Sequence, residues 1–260
     1  MNRSATLIAA LCLMIPGMAT AQDDDNGGAP SCRDLPNHTQ LLTALKSARA
    51  QANGGFNLDM WGTIVDRDGI VCAVAFTGAR RGDQWPGSRV ISAQKANTAN
   101  AFSLPGLALS TANLYTAVQP GGSLSGLQHS NPVDTGVAYK GPVKNYGLPI
   151  DPMVGARIGG VNIFGGGLAL YSAEKGLLGA VGVSGDSSCA DHNIAWRTRR
   201  NLNLDFVPAG VSGDTARPDN IVYDIANQPG NPQGVSSGGW GHPKCSTAAT
   251  NIAAELPATR

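Results

Sequence analysis

Apolar residues along this chain recur with two periods, one typical of helices and one typical of strands. Helical spacing predicts helices over residues 37–52, 88–102 and 107–118, and a last helix that ends near residue 201. Apolar runs of strand length predict strands over residues 60–65, 70–76, 158–163, 168–171, 177–185 and 220–225. Two stretches, residues 104–157 and residues 204–260, are less regular and are rich in Gly and Pro.

Turn and capping residues mark several ends of these elements. Residues 66–69, Asp-Arg-Asp-Gly, separate two strand-length runs, and a short Gly-containing turn between strands is typical of a β-hairpin. Ser88 precedes the second helical pattern and is a candidate for its N-cap. The glycines at 54 and 55 end the first helix, whose predicted inner face consists of Leu41, Leu42, Leu45, Ala48 and Ala52.

The most informative stretch is the apolar, β-branched run over 177–183, which leads within a few residues into the last predicted helix. Ser187 or Ser188 can cap that helix, and a carboxylate in its first turn suits the positive end of the helix dipole. Strand-to-helix corners often present ligand-binding groups. We therefore predict a ligand corner formed by Ser184, Gly185, Asp186 and Asp191.

The N-terminal residues have the pattern of a secretion signal. Arg3 supplies a positive charge, residues 5–15 are apolar, and residues 19–21 offer a small-residue cleavage site, so we predict a signal peptide over 1–21. A flexible leader is predicted over 22–36, and a periplasmic or secreted location follows. Cleavage removes Arg3 alone among charged residues, so the 19 basic and 18 acidic residues become 18 and 18. A net charge of zero argues against nucleic acid or an anionic membrane as the partner.

Four cysteines remain after the predicted cleavage, at positions 32, 72, 189 and 245. In an exported protein they suggest two disulfides, with three possible pairings. Two residues separate Cys189 from His192, and two residues separate His242 from Cys245. Four ligands with these spacings are also compatible with a Cys2His2 zinc site. We expect a Cys189–Cys245 disulfide instead, which leaves Cys32 and Cys72 as the second pair, and we expect no metal site.

Residues 204–260 have too few periodic apolar positions to form a domain of their own. We predict that this tail wraps the main domain and is fastened by Cys245. Val222, Ile225 and Trp240 are its docking side chains, and the Gly-Trp-Gly-His segment at 239–242 is expected to lie over the ligand corner.

Three motifs in order resemble the GlcG/HbpS family, also called DUF336. They are Val-Asp-Arg-Asp-Gly at 65–69, Lys-Ala-Asn-Thr-Ala at 95–99 and Gly-Ala-Val-Gly-Val-Ser-Gly at 179–185. The resemblance covers residues 37–200 and implies one α+β domain over 37–203, with an antiparallel sheet flanked by helices as in profilin and PAS-like folds. It also implies haem binding, haem degradation or redox sensing, and a homo-oligomer. The sequence departs from the family at residues 76–79, in the long insertion 104–157 and in the tail.

The resulting hypothesis is an exported protein that binds haem or another small molecule without a covalent link. A haem site needs an axial ligand and cations for the propionates. The candidate axial ligands are His129, His192 and His242, and the candidate propionate partners are Arg80, Arg81 and Arg157.

Two alternatives come from other functional classes. One is an enzyme for a small organic acid, with Asp66 or Asp191 as base and Lys95 as its electrostatic partner. The other is an accessory or sensor subunit whose segment 104–157 docks a membrane sensor or an enzyme.

Overall fold

The computed structural model describes residues 31–260. The predicted signal peptide, and the part of the predicted leader before residue 31, lie outside the described residues. The main sheet contains β1 (Trp61–Asp66), β2 (Val71–Phe76), β3 (Gly167–Ser172) and β4 (Gly176–Ser184). Its strand order is β2-β1-β4-β3, and every neighbouring pair is antiparallel. A second, two-stranded sheet pairs β5 (Ile225–Gln228) with β6 (Asn231–Ser236).

The α-helices are α1 (His38–Arg49), α2 (Ser88–Ala101), α3 (Tyr115–Val118), α4 (Leu127–Ser130), α5 (Thr135–Ala138), α6 (Ser188–Asn201) and α7 (Thr247–Ala254). Short 3-10 helices lie at Ser31–Asp34, Thr111–Leu114 and Val143–Asn145. Within residues 31–260, no helix has the length and apolar character needed to cross a bilayer.

Helices cover both faces of the main sheet. Leu41 and Leu45 of α1 and Ile194 of α6 share a core with one face of the sheet. Alanines of α2 pack on the opposite face. Gly182 lets α2 lie close to the sheet, because a Cβ atom there would overlap the backbone of Ser92 and Ala96. This is the predicted α+β architecture, an antiparallel sheet between helical layers.

The hairpin predicted at residues 66–69 is confirmed between β1 and β2. The Gly69 amide donates to the Asp66 carbonyl oxygen at 3.1 Å, and Asp66 Oδ1 accepts from the amides of Asp68 and Ile70. The first helix also agrees, since Asn37 and Gln40 form a capping box before α1. The expected capping role of Ser88 was wrong, because Gly87 occupies the N-cap and Ser88 is the first helical residue.

The strand predicted over residues 158–163 was also wrong. Gly159 and Gly160 both have positive φ, 61° and 82°, which interrupts an extended run. The Asn162 amide donates to Thr98 Oγ1 of α2 at 2.9 Å instead of to a neighbouring strand. This segment therefore runs across α2 towards β3.

Segment 104–157 contains the 3-10 helix Thr111–Leu114, α3, α4, α5 and the 3-10 helix Val143–Asn145. A buried ion pair between Arg89 of α2 and Asp151 attaches its second half to the domain. Asp151 also accepts hydrogen bonds from the amides of Gly147 and Met153. This ion pair therefore attaches the insertion to α2.

Residues of the tail pack against the main domain. Ala249, Ala253 and Leu256 belong to the same apolar core as α1 and α6. The predicted strand at 220–225 was wrong, because Val222 forms only an isolated bridge with Gly241 and the strand pair lies over residues 225–236. The expected disulfides, Cys189–Cys245 and Cys32–Cys72, are both present. The second fastens the 3-10 helix Ser31–Asp34 to β2, so residues 31–34 of the predicted leader are held against the sheet.

Candidate functional site

The predicted ligand corner lies where β4 ends and α6 begins. Ser187 is the N-cap of α6, and its side chain accepts from the Ala190 amide. The Asp186 carboxylate accepts three backbone N–H bonds, from Phe56 at 2.8 Å, Leu58 at 3.1 Å and Ser187 at 2.5 Å. Asp186 therefore holds the loop before β1 against the corner. It also lines a cavity of about 270 Å³ together with residues of that loop.

Asp191 is buried at the same corner and pairs with Lys95 of α2. Lys95 Nζ lies 2.7 Å from Asp191 Oδ2 and 3.1 Å from the Val183 carbonyl oxygen, and Asp191 Oδ1 accepts from the Asp186 amide at 2.8 Å. Burial raises the pKa of the Asp191 carboxyl to about 6, and the neighbouring Lys95 charge only partly opposes this rise. The pair joins α2 to the start of α6.

Both carboxylates that we considered as enzymatic bases have structural contacts. Asp191 is bonded to Lys95, and Asp66 Oδ1 is bonded to two amides of the β1–β2 turn. Both residues are about nine-tenths or more buried. Asp191 is therefore held by its own hydrogen bonds at the corner, whereas Asp66 lies at the other end of β1, where its buried Oδ2 has no partner among the described residues.

The three candidate histidines do not converge. His129 is exposed on α4. His192 is fully buried in α6, where its Nε2 lies 3.1 Å from Asn220 Oδ1, and burial lowers the pKa of its imidazole to about 3. His242 is buried in the tail and bonds Ser188 and the Pro243 carbonyl oxygen. His192 and His242 thus contact different groups, Asn220 and Ser188, and Nδ1 of the buried His192 ring has no partner among the described residues.

The zinc alternative is replaced by the disulfide. Donor atoms of Cys189, His242 and Cys245 lie within 4.8 Å of one another, but His192 is not part of this group. The two sulfurs are bonded to each other. Within the segment 239–242, His242 contacts Ser188 at the start of α6, whereas Trp240 packs against an apolar cluster that includes Leu114 and Ile163.

The three candidate arginines lie in two places. Arg80 and Arg81 are exposed in the loop between β2 and α2, and Arg80 pairs with Asp83. Arg157 is exposed near the β1–β2 turn and donates from Nε to the Asp68 carbonyl oxygen at 2.8 Å. Across residues 31–260, no hydrogen bond or ion pair joins any of these arginines to a histidine.

One of them, Arg81, lines a cleft that the sequence did not predict. The cleft has a volume of about 200 Å³. It lies between β1, the start of α2 and the insertion, and its walls consist of Trp61, Arg81, Pro86, Gly87, Arg89, Val90, Tyr139 and Tyr146. Aromatic and cationic side chains therefore surround one concave surface.

The cleft wall is held together by Arg89. Its guanidinium binds Asp151 and donates from Nη1 to the Ala138 carbonyl oxygen at 2.7 Å. It also stacks over the Tyr146 ring, with Cζ 3.6 Å from the ring centroid. The Tyr146 hydroxyl donates to the Tyr139 carbonyl oxygen at 2.9 Å. Each of the three guanidinium nitrogens of Arg89 therefore has a partner, and the Tyr146 ring is held beside it.

Two polar groups of the cleft have no protein partner among the described residues. The indole nitrogen of Trp61 is buried and makes no hydrogen bond, although the residue is only 2% exposed. The Arg81 side chain forms no ion pair within residues 31–260. A buried donor without an acceptor is uncommon in proteins. The Arg81 guanidinium can thus pair with a negative charge on a ligand in the cleft, and the Trp61 residue in its wall has an N–H without an acceptor.

Comparisons with known proteins place the chain in a family. A family model described as haem-degrading protein, HbpS-like, matches residues 37–199. No curated protein matches the chain. Among solved structures, the ORFY protein of Klebsiella pneumoniae, a DUF336 protein, is 24% identical, with a TM-score of 0.43, and the match covers 63% of this chain and 86% of that one.

Two further solved structures are similar to the chain. PduOC, solved as a complex with haem, is 25% identical, with a TM-score of 0.43, over 64% of this chain and 93% of that one. HbpS is 16% identical, with a TM-score of 0.40, over 63% of this chain and 84% of that one. The family match spans well over half of the sequence and agrees with the three motifs at 65–69, 95–99 and 179–185. The chain belongs to the HbpS-like family of haem-degrading proteins.

Proposed function

We propose that this chain is an exported protein that binds haem, or a smaller flat molecule with an acidic group, non-covalently in the cleft beside Trp61. Export is supported by the N-terminal signal pattern and by two disulfides, which persist in oxidising compartments. Haem as the ligand is supported by the family match. Redox sensing or haem handling is the role that such binding would serve.

The observation that carries the proposal is the unpaired indole N–H of Trp61. Leaving a buried donor without an acceptor costs about 1–3 kcal/mol, because the group has lost its bonds to water. We include in the proposal that the Trp61 ring turns its N–H, which is closed to solvent in this structure, towards a ligand oxygen or nitrogen and so recovers that cost. Binding an acceptor there is therefore favoured over an empty cleft.

The residues of the cleft fit the chemistry of haem. The Trp61, Tyr139 and Tyr146 rings offer aromatic surface, and the free Arg81 guanidinium suits a propionate. Tyr139 is 59% exposed, and its hydroxyl has no hydrogen-bond partner within residues 31–260, so it would hold the haem iron, as tyrosine does in other haem proteins. Bound haem would supply redox chemistry at its iron. The histidines lie elsewhere and are not needed in this proposal.

The size of the cleft limits how much of a ligand one copy of the chain can enclose. Pockets that enclose drug-sized ligands have volumes of about 300–1,000 Å³, and this one has about 200 Å³. A single chain would therefore cover only one edge of a porphyrin. Residues of the insertion near the cleft expose apolar side chains, including Tyr139, Val143 and Ile150. We include in the proposal that a second copy of the chain covers this surface.

Hemin titration followed by the Soret band tests the proposal. Trp61→Phe removes the N–H and keeps the ring, Arg81→Gln removes the charge, and Tyr139→Phe removes the hydroxyl. Each is expected to weaken binding about tenfold, the equivalent of one hydrogen bond of 1.4 kcal/mol. Trp85→Phe is the matched control, since Trp85 is 52% exposed and does not line the cleft.

A Soret shift that is equal in the wild type and in all three cleft variants would refute the site. If hemin gives no shift, calorimetry with benzoate tests the smaller-ligand version on the same variants. Sedimentation of the wild type and of Ile150→Glu tests the oligomer, because a charge at this exposed position should dissociate it. A wild-type monomer with hemin bound would refute the role of a second copy.

A further inference from the structure

A hydroxyl and an imidazole meet at the corner, away from the cleft. Ser188 Oγ lies 2.8 Å from His242 Nε2. Ser188 is the first residue of α6, whereas His242 belongs to the tail. The Cys189–Cys245 disulfide joins the two segments directly beside this contact. The disulfide therefore keeps the Ser188 hydroxyl and the His242 imidazole close together.

The surrounding bonds determine which group donates. His242 Nδ1 lies 2.7 Å from the Pro243 carbonyl oxygen, which only accepts, so Nδ1 carries the proton. Nε2 of the neutral ring is then the acceptor. Ser188 Oγ already accepts from the Gly165 amide at 2.7 Å, so its own hydrogen is directed to His242 Nε2. This is the arrangement of an activated serine with its general base.

Several contacts fix the position of His242. Its amide donates to the Val222 carbonyl oxygen at 2.8 Å, and its ring packs against Tyr115 with centroids 5.2 Å apart. Thr116 Oγ1 donates to the Gly241 carbonyl oxygen at 2.6 Å. His242 is 3% exposed, whereas Ser188 is partly exposed at the surface. The base is thus buried, whereas the residue that carries the hydroxyl is partly open to solvent.

We propose that Ser188 and His242 form a nucleophile–base pair that hydrolyses activated esters, an activity separate from the ligand binding proposed for the cleft. Ser188 Oγ forms a bond to the ester carbonyl carbon while its proton moves to His242 Nε2. The bond to the alcohol oxygen breaks, and that oxygen takes the proton from His242. Water then attacks the acyl-serine by the same route, which releases the carboxylic acid and restores Ser188.

The surroundings indicate the substrate class. Burial lowers the pKa of the His242 imidazole to about 4, so the base is weak and favours esters whose alcohol leaves readily. Negative charge on the reacting carbonyl oxygen would develop near the positive end of α6, a helix of 14 residues. Phe164, next to Gly165 in the chain, is 46% exposed and offers an apolar surface. An uncharged, apolar acyl group is therefore expected.

The test uses the full mature chain with two probes, a fluorophosphonate label and p-nitrophenyl butyrate. The wild type is expected to be labelled at Ser188, as located by peptide mapping, and to release p-nitrophenol. Ser188→Ala should remove both signals, and His242→Gln should slow both about 100-fold, the usual contribution of a general base. Ser237→Ala is the control, because this exposed serine donates to the Asp224 carboxylate and has no histidine partner. It should change neither signal more than twofold.

The disulfide variant Cys189→Ser with Cys245→Ser adds a second measurement, because it keeps both reacting groups but loosens their register. Its labelling at Ser188 should be slower than that of the wild type. Mapping on the wild type decides the matter even if a variant fails to fold. Label that is absent from Ser188, or that reacts as fast in His242→Gln, overturns the proposal. Hemin binding in the cleft is unaffected by either result, so the two proposals fail separately.

Discussion

Replacing Lys95 by Met is the sharpest test of how the corner is held together. The change removes the ammonium group and keeps a side chain of similar length, so it leaves the Asp191 carboxylate buried without its cation. Removing one partner of a buried pair costs about 3–5 kcal/mol. We therefore expect Lys95→Met to lower the free energy of unfolding by about 4 kcal/mol at pH 7.5.

The dependence of this loss on pH identifies its cause. The pKa of Asp191 is raised to about 6 in the folded wild type, against 3.8 for the free side chain, and without Lys95 it must rise further. Between these values the folded variant holds a proton that the unfolded chain releases, so its stability increases as the pH falls. The difference between wild type and variant should thus become smaller from pH 7.5 to pH 5.5.

Urea unfolding followed by far-UV circular dichroism measures both effects. Lys175→Met is the matched control, because Lys175 and Asp34 form an exposed pair that contributes at most about 1 kcal/mol. The double variant Lys95→Met with Asp191→Leu should lose less than the sum of the single changes, since no charge remains unpaired. A Lys95→Met variant as stable as the wild type at pH 7.5, or a loss that grows on acidification, would refute this account.

Three further predictions concern single features of the fold. The pKa of His192 is lowered from 6.5 to about 3, so between these pH values only the unfolded chain binds the proton and acid destabilises the fold. Between pH 7 and pH 5, the free energy of unfolding of the wild type should therefore fall by about 2 kcal/mol more than that of His192→Gln, as measured by urea unfolding. Equal changes in the two proteins would contradict this. Opening the Cys189–Cys245 loop by a double Ser substitution should cost about 4 kcal/mol in thermal unfolding under the chain-entropy model, and an unchanged midpoint would argue against it. Gly147→Ala should destabilise by about 1–3 kcal/mol, because the new Cβ overlaps Trp61 at a φ of 76°, and a more stable variant would show that this packing is loose.

Local patterns made the main sheet and its principal helices predictable. The turn at 66–69 and the run at 177–185 are read from neighbouring residues, and the structure has both a hairpin and β4 there. The disulfides followed from cysteine count and spacing. Only one member of the predicted haem set, Arg81, lies in the cleft.

The cleft itself was beyond sequence reasoning. Trp61 sits in a strand, whereas Tyr139 and Tyr146 come from an insertion without regular spacing. What brings them together is the Arg89–Asp151 pair, a long-range contact with no local signal. The only sequence hints were the length of the insertion and the arginines that flank the start of α2. Helix α7 was missed for a related reason, since its alanines gain their apolar partners from α1 and α6.

Contacts between α6 and the tail indicate that both belong to one folding unit. Residue 199, where the family match stops, is a fully buried arginine whose partner Asp219 lies in the tail, with Nη1 at 2.5 Å and Nη2 at 2.8 Å from its carboxylate oxygens. A buried guanidinium without this partner would carry an uncompensated charge in the core, at a cost of several kcal/mol. The Trp196 indole nitrogen likewise donates to the Pro257 carbonyl oxygen at 3.0 Å. Helix α6 therefore carries buried polar groups whose partners lie in residues 204–260. In this chain the tail completes the core as well as supplying His242 to the corner.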